Sequence, residues 1–157
     1  MPRSAEQRVA DTFSALERLN HLWIATASPA GGRAHLIPVS FAWTGSEIII
    51  ATGSAGATGS SLHATGRAQL AIGQTDDVIL IDAEVRETVE VRAAPDAIAS
   101  RYAAQSDWDP REGTDVPTEY FVLTPVRIRA WREVGEIPGR TVMSDGAWVT
   151  EPPSREA

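Results

Sequence analysis

The chain has 157 residues, enough for one domain with a real core, and carries 14 basic against 21 acidic side chains for a net charge of -7. All of the basic residues are arginine, and no general basic field exists to gather nucleic acid or an anionic membrane. The absence of cysteine excludes disulfides, thiolate metal sites and cysteine nucleophiles, and permits a reducing compartment.

The N-terminal segment MPRSAEQRVADTFSALERL is charged throughout and lacks the apolar core of a signal peptide; no apolar run approaches membrane-spanning length, so a cytoplasmic protein is expected. From Ser4 to about Leu19, Val9, Phe13, Leu16 and Leu19 recur at helical spacing, with Ser4 placed to cap the helix and Gln7 three positions on. HLWIATAS then turns β-rich; PAGGR and TGSE supply turns around AHLIPVSFAW, and IIIATG follows. Three strands on short turns predict an antiparallel meander, which RAQLAIGQ and the alternating VILIDAEVRETVEVRA continue. PDAIASRYAAQS reads as a helix opened by proline, DWDPREGTDVPT as a polar loop, and EYFVLTPVRIRAWREV as the closing strand. The pattern predicts a mainly β fold, a barrel of six or so antiparallel strands with peripheral helices: one domain over residues 1–145, and a C-terminal arm or tail over 146–157.

His21, His35 and His63 have no metal-ligand spacing, and no metal is expected. ATGSAGATGSSLHATG lacks a P-loop lysine and no Gly-x-Ser-x-Gly elbow occurs, so nucleotide-triphosphatase and serine-hydrolase chemistry find no support. Two readings of that glycine-rich stretch stand. A helix beginning there offers backbone N–H groups and the hydroxyls of Thr58, Ser60 and Ser61 to a phosphate; alternatively, glycine and serine make a simple surface loop.

The succession WIATASPAGGRAHLIPVSFAW, EIIIATG, SSLHATGRAQLAIG, DVILIDAEV and YFVLTPVRIRAWRE resembles the pyridoxamine-phosphate-oxidase-like split-barrel flavoproteins, which include flavin- and deazaflavin-dependent oxidoreductases. The ending PGRTVMSDGAW is similar to that of actinobacterial members. The resemblance implies a split β-barrel, a homodimer, and FMN or the deazaflavin coenzyme F-420 in a groove at the subunit interface, serving hydride transfer with a small organic substrate. Carried onto this chain, it sets the ring edge against the backbone of Pro38, Val39 and Ser40, with Thr52 and Gly53 on the next strand. The phosphate falls to Thr58, Gly59, Ser60 and Ser61, and Trp131 approaches from the partner. No catalytic side chain is implied. Family members commonly hold the phosphate with arginine or lysine before the position of Leu62, where this chain has Thr58 to Ser61; Arg33 and Arg67 are the candidates to compensate. The missing cations favour an alternative, a degenerate homodimeric barrel that binds another small ligand without a redox cofactor.

Overall fold

The computed structural model describes residues 1–154. The first helix, α1 (Ala5–Arg18), starts where its cap requires: the Ser4 hydroxyl accepts the Gln7 N–H at 3.1 Å. Val9, Phe13 and Leu16 form its buried stripe. The strands β1 (His21–Ala27), β2 (Ala34–Trp43) and β3 (Ile48–Gly53) form the expected meander. The second helix, α2 (Ala57–Thr65), leads into β4 (Arg67–Ile72), β5 (Val78–Glu90), α3 (Asp96–Ser106) and β6 (Thr118–Trp131). All pairings are antiparallel in the order β3-β2-β1-β4-β5-β6, and β3 also pairs with β6, which closes six strands into a barrel. The mainly β barrel with peripheral helices expected from the sequence is thus the fold observed.

The strand β3 is buried on both faces, which is why IIIA runs apolar without alternation. Ile48 and Ile50 join the barrel interior with Phe41, Trp43, Phe121 and Leu123, into which α1 inserts Phe13, edge-on to Trp43 at 5.9 Å. Ile49 and Ala51 point outward, into a second cluster where α3 packs Ala99 and Tyr102 against Tyr120 and Val122. Gln105 fixes α3 in place: its Oε1 accepts the Trp43 N–H at 2.8 Å, and its Nε2 donates to the Leu16 and Leu19 carbonyls at 2.7 Å each. Two carbonyls at the end of α1 are thereby satisfied.

The C-terminal segment differs from the extended arm expected. Two further strands, β7 (Thr141–Ser144) and β8 (Ala147–Trp148), form a hairpin on β6, with Val142 and Met143 buried and Trp148 against Phe13 at 6.2 Å. Asp145 and Gly146 both take positive φ, the signature of an Asp-Gly hairpin turn. The boundary expected after residue 145 falls inside this turn, so Ala147 and Trp148 belong to the sheet; residues 155–157 of the expected tail lie outside the described residues.

An ion cluster around the buried Glu136 ties the N-terminal segment to the connection that follows β6. Glu136, 1% exposed, accepts from the Arg3 backbone N–H at 2.8 Å, from Arg3 Nη2 at 2.8 Å and from the Arg132 N–H at 2.9 Å; Asp11 accepts from Arg3 Nη1 at 2.8 Å. The Arg3 hydrogen bonds dominate and, against burial, hold the Glu136 carboxyl at about 2, below its ordinary 4.5. A depressed carboxylate stabilises the fold above its unfolded-state value and loses that contribution as pH falls through the folded-state value. Stability is therefore expected to be full above about pH 4.5 and to fall towards pH 2, measured as melting temperature against pH. Glu136→Gln is expected to flatten that acid limb and to cost about 1.5–3 kcal/mol at neutral pH, since it removes the charge on the Glu136 side of Arg3 while Asp11 still pairs with Nη1.

Candidate functional site

The barrel is split where β2 and β3 part. They pair only from Phe41–Trp43 to Ile48–Ile50; Ala51–Gly53 then follow β6 alone, and β2 from Ser40 back to Ala34 is paired on one side only, by β1. The Arg33 carbonyl accepts the Ser28 N–H, and the Phe41 N–H donates to the Asn20 carbonyl, each at 3.0 Å, so both face β1. Over the unbroken register between them, the two-residue pleat turns the backbone groups of Leu36, Pro38 and Ser40 towards the open side. Proline is tolerated at 38 because the N–H it lacks would have pointed into the slit, not into the ladder.

At the end of the slit stands α2. Its N-cap is Gly56, with no side-chain cap; the Ser60 N–H is the first to make the helical bond, to the Gly56 carbonyl at 2.9 Å. The N–H groups of Ala57, Thr58 and Gly59 have no acceptor among the described residues and present the positive end of the helix dipole. Ala57, Ser60, Ser61 and Ala64, spaced as one helical face, line a groove of about 620 Å³. Its other wall is the β1–β2 turn and the start of β2: Ser28, Pro29, Arg33, Ala34 and His35. The opposite face of α2 packs inward. A Cβ at Gly59 would lie 2.3 Å from the Gly53 carbonyl oxygen, so glycine at 59 lets the helix start dock on the end of β3. At the other end of α2, His63 Nε2 lies 3.1 Å from Glu119 Oε1 and the ring packs edge-on to Phe121.

The residues singled out in the sequence therefore fall into separate roles. Ser60 and Ser61 line the groove; Thr58 and Gly59 sit on the buried side of the same turn, and the Thr58 hydroxyl, 3% exposed, has no hydrogen-bond partner. Pro38 and Ser40 turn their backbones to the slit, while Val39 packs its side chain on the barrel core. Thr52 and Gly53 end β3 against Glu119 and Thr118. Trp131 is not brought to the groove within one chain: it pairs with Val78, about 20 Å along β5 from Glu84, the partner of Arg67 where α2 hands over to β4. Its ring carries the Arg140 guanidinium at 5.8 Å. Of the two compensating arginines, Arg33 lines the groove and Arg67 does not. Ser28 and His35 were missed, although the small-residue spacing Ala57, Ser60, Ser61, Ala64 was there to be read as a groove face.

A second cleft, of about 530 Å³, lies beyond the β3–α2 connection and mixes charges, with Glu90, Arg92, Arg111 and Glu119 among its lining. Arg111 is committed to Asp109 at 2.8 Å. Among the described residues no cluster of histidine and carboxylates could hold a metal ion, and no helix is long and apolar enough to cross a membrane.

This combination of a slit six-stranded barrel and a bare helix start defines a split-barrel fold, and the sequence places the chain in a family. Residues 10–132 match the family model described as pyridoxamine 5'-phosphate oxidase, and the chain belongs to that family. An F420 reductase is structurally similar at a TM-score of 0.59 and 18% identity, over 73% of this chain and 93% of the other. A pyridoxamine 5'-phosphate oxidase-related, FMN-binding protein from Nostoc punctiforme aligns at a TM-score of 0.50 and 13% identity, over 80% and 78%. A heme-binding protein from Mycobacterium smegmatis aligns at 0.61 and 21% identity, over 93% of this chain and 60% of that one. These likenesses establish the fold. Among curated proteins no match is found.

The packing at Gly59 makes a direct demand. Gly59→Ala is expected to destabilise the protein by about 1–3 kcal/mol in chemical denaturation, because the new methyl meets backbone on an element that cannot yield without shifting α2.

Proposed function

We propose that the chain is a flavin- or deazaflavin-dependent oxidoreductase, taking FMN or coenzyme F-420, that works in the cytoplasm as a homodimer on a small organic substrate by hydride transfer. The observation that carries this reading is the groove between the uncapped start of α2 and the β1–β2 turn, from which the open edge of β2 runs on. These residues fit a phosphorylated flavin: the amides at the start of α2 with the Ser60 and Ser61 hydroxyls for the phosphate, and the backbone of Leu36 and Pro38 with the Ser40 N–H, on the open side of β2, for the polar edge of the ring. When bound, the flavin supplies the redox chemistry; the protein binds it, orients it and sets the polarity around it. The Leu36 and Ser40 N–H groups would donate to ring acceptors and the Pro38 carbonyl would accept from a ring N–H, which fixes the ring edge in the slit. The floor of the slit is apolar, since Ile37 and Val39 pack on the barrel core and keep water from that side.

The homodimer is supported by the outward face of β1, β2 and β4. Trp23, 48% exposed, stands opposite Pro38 on one side and Ala71 on the other, and Leu36, 60% exposed, stands opposite Ala25. Cross-strand pairs of this kind make one apolar strip, and burying it against a second copy removes it from water on both chains. The absence of a cation on the groove face of α2 favours the second reading, a barrel that binds a different small ligand.

Titration of the purified protein with FMN and separately with the deazaflavin coenzyme, followed by flavin fluorescence and melting temperature, is expected to give saturable binding of at least one. At a free ligand concentration of 100 times Kd the stabilisation is about 2.7 kcal/mol. Failure of both at high micromolar concentration would remove the oxidoreductase reading and leave the second. For the dimer, sedimentation velocity is expected to show two chains in the native protein and one in the Trp23→Glu/Leu36→Glu variant; a monomeric native protein would sink the interface.

A further inference from the structure

The wall facing α2 carries a charge that α2 itself lacks. Among the residues lining the groove, Arg33 alone has a fixed positive charge. Its backbone is pinned on both sides: the Arg33 N–H donates to the Ser28 hydroxyl at 3.1 Å, and its carbonyl accepts the Ser28 N–H at 3.0 Å. Gly31 and Gly32, at φ of 86° and 60°, make the turn that permits this closure. The guanidinium, by contrast, makes no hydrogen bond or ion pair among the described residues, in a chain whose net charge is -7 and whose other arginines include several committed to Asp and Glu. A held backbone with an uncommitted guanidinium, on the groove wall across from Ala57 and Ser60 at the uncapped start of α2, is an arrangement that suits an anion bridging the two walls.

Resting on the reading of this groove as the flavin-phosphate site, we propose that Arg33 is the cationic half of that site. The α2 amides and Ser60 take one side of a phosphate group and the Arg33 guanidinium takes the other, so the selection of a phosphorylated flavin over its phosphate-free form resides in the β1–β2 turn. Arg67, the nearer arginine in sequence to α2, does not share this role. It stands exposed on β4 with its Cα opposite Glu84, outside the groove.

The test compares FMN with riboflavin, and in parallel the deazaflavin coenzyme with its phosphate-free chromophore, binding to the native protein and to Arg33→Ala, Arg33→Lys and Arg67→Ala, with fluorescence as the readout. The native protein is expected to prefer the phosphorylated form. Arg33→Ala should lose about tenfold to a hundredfold in affinity for that form, with the phosphate-free form unchanged. Arg33→Lys should recover part of the loss, and Arg67→Ala should match the native protein. Preference retained in Arg33→Ala, or lost equally in Arg67→Ala, would overturn the assignment to Arg33 while leaving the groove intact. A native protein that binds none of the four would overturn the reading of the groove, and with it this inference. Melting temperatures of the variants without ligand, expected to be unchanged for side chains at the surface of a turn and a strand, separate lost recognition from lost folding.

Discussion

The organising constraint of this molecule is that β3 changes partners. For three residues, Ile48 to Ile50, it pairs with β2 and β6 together and closes the barrel; from Ala51 it keeps β6 and abandons β2. A strand that stayed with β2 throughout would have covered its edge and left no slit. The departure is held by burial on both faces, with Ile48 and Ile50 in the interior and Ile49 and Ala51 beneath α3, so β3 cannot slide back without losing one cluster or the other. The cost is an unpaired edge on β2, and Pro38 sits on the one side of that strand where a missing N–H removes nothing from the ladder.

The same departure positions α2. Because β3 runs on beside β6, its end at Gly53 meets the start of the helix at Gly59, in a contact that leaves no room for a side chain. Close docking without a capping side chain leaves the first amides of the helix bare, with serine and alanine on the groove face. Structure and recognition are thus coupled at one turn: glycine on its inner side serves packing, and small residues on its outer side leave the groove open. Charge then comes from across the groove, on a turn whose glycines and Ser28 fix where Arg33 begins.

Much of the fold was legible because it follows local rules. The helix cap at Ser4, the two-residue alternation of β5 and the short turns of the meander each have a cause within a few residues. The hairpin of β7 and β8 was legible in principle from Asp145-Gly146, but the proline- and glycine-rich surroundings pointed to an arm instead. The site was harder because its walls are distant in sequence. Nothing local says that Ser28 and His35 face Ala57 and Ser60; that follows from where β2 and β3 separate. The sequence could name Thr58 to Ser61 as a group, but only helix phase exposes Ser60 on the groove, leaves Ser61 at its wall with 5% exposure, and turns Thr58 and Gly59 to the interior. Trp131 could not be placed at all by pattern, since its strand carries it away from the groove of its own chain.

The most direct test of the central claim is where a flavin touches the backbone, read by amide chemical shifts as FMN or the deazaflavin coenzyme is added to isotopically labelled protein. The account predicts that the largest changes fall together on Ala57, Thr58 and Gly59 and on Leu36 and Ser40, the amides the fold leaves without partners at the two ends of one slit. Changes confined to the mixed-charge cleft around Glu90, Arg92 and Glu119, with the α2 amides unmoved, would contradict it.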